Sequence, residues 1–315
     1  QKVGFVGLGN VGGKLAHSLI RNGYDLIVRD LNHDVAIPLL KAGAKWSKST
    51  KELTQISDIV ITCLPSPAAS AEVMESEDGI LAGLTANKIW VEMSTTDATE
   101  VKRLGSSVEA KGASPADCPV SGGCHRAATG NISIFAGCKR EVFERLLPVL
   151  TTLGRQVLHT GEIGTASVLK VMTNYLATAN LVTLCEALVT SKMAGMDLNT
   201  TYEAIRISSG NSFVHETESQ VILNGSRDIN FTMGLALKDI SLFQEMAEKY
   251  AVPLEVSPLL KKIFEDGQIK FGESAWSPNI IKRLEHACGI EILASGFPAE
   301  MTDEEPEEIG FEVIP

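Results

Sequence analysis

The sequence predicts a two-domain chain: an α/β half built on a mostly parallel sheet, then an all-α half opened by one long helix. Three observations carry that expectation. Strand-like apolar runs alternate with helical patterns through the first half, the first run ends in a glycine triplet, and residues 165–194 keep helical periodicity without a proline. A chain of 315 residues with 44% apolar content is too long for one ordinary core and apolar enough for two. The expected boundaries are 1–162 for the sheet domain, 163–292 for the helical domain and 293–315 for an acidic tail.

The strand-like runs fall at 3–6, 26–28, 58–64, 89–93, 116–120 and 132–136. Strands separated by helices form βαβ crossovers, which pair in parallel. The connection after the first run reads Gly7-Leu8-Gly9-Asn10-Val11-Gly12, and a helical pattern through Leu15, Leu19 and Ile20 follows until Asn22-Gly23 ends it. Gly7 permits the tight turn, Gly9 lets the backbone approach a pyrophosphate, and Gly12 allows close helix-strand packing with the helix start facing the phosphates. A lone triplet is weak. This one follows a strand, opens a helix and precedes an acid, Asp30, eighteen residues past Gly12, which makes the domain a Rossmann-type dinucleotide-binding fold. Asp30 suits the ribose hydroxyls and repels a 2′-phosphate, so NAD is expected ahead of NADP. Asn32 is at least as good a cap for the next helix. Arg29 would suit a 2′-phosphate, but strand alternation points it away from Asp30.

Two further loops follow strand ends, where an open parallel sheet places its ligand. In Thr62-Cys63-Leu64-Pro65-Ser66-Pro67, Leu64 and Pro65 can form an apolar wall against the nicotinamide ribose. In Met93-Ser94-Thr95-Thr96-Asp97, the hydroxyls, Thr95 among them, can bond the ribose or a carboxylate. Alone, both segments would pass as a turn and a helix cap. Next comes Asp117-Cys-Pro-Val-Ser121-Gly122-Gly123, where a hydroxyl and two glycines present backbone amides in a nest that suits a carboxylate.

Residues 165–194 form the long helix, followed by helical segments near 200–207, 213–223, 235–250, 257–266 and 279–288. Lys170 and Asn174, four apart near its head, share one helical face. Such a pair is usually just a solvated face. Lysine offers a cation or, with a depressed pKa, a base, and asparagine an uncharged donor and acceptor, so together they suit a hydroxyl or carbonyl oxygen.

Composition removes other classes. A net charge of −11 argues against nucleic acid or anionic membrane as partner. Much of the excess is the run from Glu300 to Glu312, seven acids and no base, read as solvated, mobile chain whose Phe311, Val313 and Ile314 could dock a short end segment on a neighbour. The six cysteines lack Cys-x-x-Cys spacing and read as reduced thiols of a cytoplasmic protein. Neither a signal peptide nor a membrane span is expected, and the six histidines show no metal-ligand spacing.

Taken together, the glycine fingerprint, Asp30, Leu64-Pro65, Ser94-Thr95, Ser121-Gly122-Gly123, Lys170 with Asn174, and Lys238-Asp239 resemble the β-hydroxyacid dehydrogenase family in order and approximate spacing. The resemblance implies hydride transfer between C3 of a short 3-hydroxy acid and NAD, with a semialdehyde as the oxidised partner. It implies that Lys170 is the proton shuttle and Asn174 its partner, that Ser121, Gly122 and Gly123 hold the substrate carboxylate, and that Thr95 and Lys238 line the nicotinamide end. As a base near neutral pH, Lys170 would have to titrate below the ordinary lysine value of about 10.4. The relatives are dimers or tetramers with the active site in the cleft between the domains. Departures are Val11 where methionine is common, Cys118 for alanine, and Cys124-His125-Arg126 after the glycines, where Arg126 could meet a second anionic group on the substrate. The acidic tail has no counterpart. Two alternatives stay open: an imine or keto reductase on the same architecture, whose imine-reducing relatives typically replace the lysine, and a non-catalytic dinucleotide-binding module.

Overall fold

The structure is a computed structural model and describes residues 1–315. Its chain divides into two compact units, Gln1–Lys170 together with Asp303–Pro315, and Val171–Thr302.

The first unit is built on one sheet of strands β1 (Lys2–Val6), β2 (Asp25–Arg29), β3 (Lys45–Trp46), β4 (Ile59–Thr62), β5 (Ile89–Glu92), β6 (Ser114–Asp117), β7 (Val120–Ser121), β8 (Ile132–Gly137), β9 (Gly154–Gly161) and β10 (Phe311–Val313). The order is β10-β9-β8-β6-β5-β4-β1-β2-β3, with β7 paired to β8. From β3 to β6 every pairing is parallel, and the order 3-2-1-4-5-6 is that of a doubly wound nucleotide-binding sheet. Both faces are covered. In β1, Val3 and Phe5 enter one core cluster with Leu15 and Leu19 of the helix Gly12–Arg21, while Val6 enters the other with Leu53 and Trp90. In β4, Ile59 and Ile61 likewise take one face and Val60 the other, which is why these strands read as continuous apolar runs. Strand order reverses between β1 and β4, the crevice where such a sheet binds its ligand at the carboxyl ends.

Beyond β6 the sheet departs from the expectation. The run at 116–120 is not one strand: β6 stops at Asp117, and after Pro119, which has no amide to donate, the short β7 pairs antiparallel with β8. β9 adds parallel to β8, and β10 adds parallel to β9.

The acidic tail also departs from it. Residues 303–315 are largely exposed, yet they return to the sheet unit, where β10 pairs with β9 in the register Phe311 to Gln156, Glu312 to Val157 and Val313 to Leu158. Arginines distant in sequence meet its acids: Arg21 is bidentate to Glu307 at 2.8 Å, Arg140 is bidentate to Glu312 at 2.5 and 3.0 Å, and Arg155 pairs with Glu308. Exposed pairs of this kind contribute at most about 1 kcal/mol each, so the strand pairing matters as much as the charges.

The second unit is helical. The helix Thr165–Met193 runs into it from the first unit, and the helices Leu198–Arg206, Phe213–Asn224, Met233–Lys249, Val256–Phe271 and Lys282–Cys288 follow. Leu188, Ile222, Met233, Ile240, Phe264 and Ile281 lie at the centre of its core. The division falls after Lys170 rather than after residue 162, because the start of the long helix is bonded to the sheet unit.

Candidate active site

The glycine loop is packed tightly on one side and open on the other. Gly7 takes φ +93°, and a Cβ there would stand 2.2 Å from the Cys63 carbonyl oxygen; one at Gly12 would stand 2.1 Å from the Gly7 carbonyl oxygen. Gly9 has nothing within 4 Å of its Cβ position. Leu8 buries its side chain in the core, so what it gives the loop is its amide, which donates to Asp30 Oδ2 at 2.7 Å. The other Asp30 oxygen accepts from Asn32 N–H at 2.9 Å. The helix-capping role falls to Asn32, whose side chain accepts from Asp34 N–H at 3.0 Å. Arg29 lies with its guanidinium 4.9 Å from the centre of the Trp46 ring. Asn10 is exposed and Val11 half-buried at the helix start. A backbone this close-packed behind and open in front, with an acid beside it, fits a dinucleotide.

The loops after β4 and β5 are tied together. Leu64 N–H donates to Ser94 Oγ at 2.7 Å, and both the amide (3.0 Å) and the hydroxyl of Ser94 donate to Glu92 Oε1. Glu92 is buried in the sheet, and burial pushes its carboxyl upward against those donors. The Leu64 side chain comes within 3.0 Å of the Cβ position at Gly7, and Pro65 is exposed beside it. Helix capping uses Ser66 and Asp97, leaving Leu64, Pro65 and Thr95 outside the caps.

Asp117 links β6 to the start of the long helix. Its carboxylate, fully buried, accepts from Gly164 N–H at 2.7 Å, Ser167 N–H at 2.7 Å and the Ser167 hydroxyl at 2.8 Å. Burial shifts its carboxyl upward against those donors. The approach is close enough that a Cβ at Gly137 would meet Asp117 Oδ1 at 2.4 Å. Lys170 lies one turn beyond Ser167 and is only 7% exposed. The same segment continues into Ser121, half-buried on β7, and into Gly122 and Gly123 at φ +127° and +86°. Arg126 and His125 fold back over these glycines: Cβ atoms at 122 and 123 would lie 3.3 Å from Arg126 Cδ and 2.9 Å from the His125 ring. Burial, with the Arg126 charge, lowers the His125 pKa. Arg126 also has an ion-pair partner in the chain, Glu305, at 3.8 Å.

In the helical unit, Asn174 Nδ2 donates to Asp239 Oδ2 at 2.6 Å, and Lys238 Nζ lies 3.1 Å from Asp239 Oδ1. Asp239 is 1% exposed, so Lys238-Asp239 is not a surface couple. Directly after Asn174 on one helix and one turn beyond Asp239 on the other, Tyr175 and Phe243 stack at 4.2 Å and 7°, which fixes the register between them. The sequence names Asp239 and Asp117 only as members of motifs, and it singles out no role for either or for Glu92. For Asp239 a signal exists: it falls on the apolar stripe of its helix with Ala236, Ile240 and Ala247. No cluster of three or more His, Cys, Asp or Glu side chains could hold a metal ion, no disulfide joins any of the six cysteines, and no helix is long and apolar enough to cross a membrane.

Residues 2–161 match the family model described as the NAD binding domain of 6-phosphogluconate dehydrogenase, and residues 164–284 match NAD-binding of NADP-dependent 3-hydroxyisobutyrate dehydrogenase. The chain is 31% identical to 2-(hydroxymethyl)glutarate dehydrogenase of Eubacterium barkeri over 293 residues, 92% of this chain and 97% of that one. It is 30% identical to mitochondrial 3-hydroxyisobutyrate dehydrogenase of Mus musculus over 83% of this chain and 80% of that one. It is also 30% identical to NAD-dependent L-serine dehydrogenase of Pseudomonas aeruginosa over 84% and 91%. Among solved structures, 3-hydroxyisobutyrate dehydrogenase from Salmonella typhimurium superposes with a TM-score of 0.83 at 25% identity, covering 90% of this chain and 99% of that one. Fold and relatives define an oxidoreductase that uses a nicotinamide dinucleotide on the CH–OH group of a hydroxy acid. The chain belongs to the β-hydroxyacid dehydrogenase family.

Proposed function

We propose that this enzyme interconverts a short 3-hydroxy acid and its semialdehyde, using NAD, with Lys170 as acid and base. The observation that carries the reading is Lys170 itself: a nearly buried lysine one turn past a helix start that Asp117 holds against the sheet. A buried lysine with no chemical task is rare, because desolvating an ammonium is costly. The dinucleotide supplies, when bound, hydride acceptance or donation at nicotinamide C4, held by Gly7, Leu8, Gly9, Asn10, Val11, Gly12 and Asp30, with Leu64, Pro65, Thr95 and Lys238 toward the nicotinamide. On oxidation, Lys170 Nζ takes the hydroxyl proton as C3 becomes a carbonyl carbon; on reduction it returns that proton to the oxygen. Asn174, whose Nδ2 is fixed by Asp239, keeps the uncharged amide beside the reacting hydroxyl in one orientation. The Ser121-Gly122-Gly123 amides take the substrate carboxylate, and Arg126 takes a second anionic group where the substrate has one.

The reading of NAD is supported by Asp30, an acid just past the second strand that would repel a 2′-phosphate, and by Arg29 lying over Trp46. One relative is named for 2-(hydroxymethyl)glutarate, a 3-hydroxy acid with a distal carboxylate, and another for 3-hydroxyisobutyrate, which has none. The test is reduction of NAD and of NADP with L-serine, glycerate, 3-hydroxypropionate, 3-hydroxyisobutyrate and 2-(hydroxymethyl)glutarate. Turnover of at least one of them, with a higher kcat/KM on NAD, is expected; no turnover, or imine reduction alone, would contradict the reading.

A further inference from the structure

The segment 303–315 lies beyond the matched family regions, the second of which ends at residue 284, and beyond what the sequence pattern explains. It touches the sheet unit where the substrate loop is held. The helix Gly123–Thr129 begins at the Ser121-Gly122-Gly123 turn and carries Arg126. At its far end Thr129 Oγ1 donates to Asp303 Oδ2, and Asn131 Nδ2, next in the chain after Gly130, donates to the same oxygen at 2.8 Å and to the Glu305 carbonyl at 3.0 Å. Arg21, at the end of the glycine-loop helix, donates to the Ala128 carbonyl at 3.2 Å while bidentate on Glu307, and Asn22 Nδ2 adds a bond to Glu307 at 3.0 Å. Glu305 itself faces Arg126 at 3.8 Å. β10 then anchors the segment to the sheet edge.

We infer that the C-terminal segment is a strap that sets substrate specificity: Asp303 positions the Arg126 helix beside the substrate turn, and Glu305 is the internal counter-ion that a substrate's distal anion must displace. The inference rests on the proposed role of Arg126 toward the substrate. A carboxylate already paired with the guanidinium competes with an incoming one and leaves a substrate without a distal anion unaffected. Asp303, by contrast, acts on every substrate, because it holds the helix rather than the ligand. The positions these residues touch, Thr129, Asn131 and Arg21, lie outside the loops assigned to the dinucleotide, so cofactor affinity should not follow.

The experiment compares wild-type enzyme with Glu305→Gln and Asp303→Asn on 2-(hydroxymethyl)glutarate and 3-hydroxyisobutyrate, with NADH affinity by fluorescence titration and amide hydrogen exchange of residues 123–131 read in parallel. Glu305→Gln is expected to lower KM several-fold for the dianion alone. Asp303→Asn is expected to raise KM several-fold for both acids, speed exchange of residues 123–131 and leave NADH affinity unchanged. An unchanged ratio between the two acids' KM values in Glu305→Gln would overturn the specificity role; in Asp303→Asn, unchanged KM values with faster exchange would leave a merely structural strap, and unchanged exchange would overturn the positioning role. Failure of the functional reading looks different, since wild-type enzyme would then turn over neither acid, and exchange would still report on the strap.

Discussion

Asp117 and Glu92 of the sheet unit and Asp239 and Glu218 of the helical unit are buried in different ways. In the sheet unit, Glu92 and Asp117 are held by donors at strand ends and at a helix start, backbone amides and serine hydroxyls supplied by the fold. In the helical unit, Asp239 is held by side chains, the Asn174 amide and the Lys238 ammonium. Glu218, in the helix Phe213–Asn224, leaves its Oε2 without a hydrogen-bond partner, and burial pushes its carboxyl up to about 8. A carboxylate gripped by backbone organises loops whatever the neighbouring side chains are. One gripped by side chains orients the groups that grip it, and one left alone keeps its proton.

The larger effect should come from the acid with two functional partners. Asp239→Ala removes the acceptor of the Asn174 amide and the ion-pair partner beside Lys238, a cost of about 1–3 kcal/mol. If Asn174 needs that hydrogen bond to face the substrate, kcat falls about 10- to 100-fold with the NADH dissociation constant nearly unchanged. Steady-state kinetics with a parallel NADH titration decides it, and a kcat within about twofold of wild type would break the contrast between the units.

A smaller effect, visible only in stability, is expected at Glu218. Its pKa is raised on folding, from an ordinary 4.5 to about 8, so its contribution to stability is complete below about pH 4.5 and is lost as pH rises through 8. Glu218→Gln removes that slope. Thermal unfolding should show the variant near wild type at pH 5 and more stable at pH 8.5, by a few degrees if the gain is on the order of 1 kcal/mol. A variant less stable at both pH values would mean that the carboxyl is held by a partner after all.

The same contrast explains what the sequence made legible. The glycine loop, the strands near it and the long helix were readable because local spacing dictates them: both-faces-buried strands are apolar runs, and Gly7 and Gly12 sit where a side chain would collide with backbone. Lys170 and Asn174 were readable as a pair on one helical turn. β3 has only two residues and β9 is mostly polar, so neither carries a strand signal. The tail looked solvated because its cations, Arg21, Arg140 and Arg155, are far away in sequence, and charge composition says nothing of such pairs. Asp117 sat in plain view within a motif, yet its role depends on Gly164 and Ser167, which only the folded chain brings to it.

We propose that Lys170, set on the helix start that Asp117 holds, moves the proton. The most direct measurement is kcat of Lys170→Ala on the preferred 3-hydroxy acid, alongside its NADH dissociation constant. The account predicts a kcat lower by about 10²- to 10⁴-fold with NADH affinity within about twofold of wild type. Retained turnover, or a loss of NADH binding equal to the loss of turnover, would contradict it.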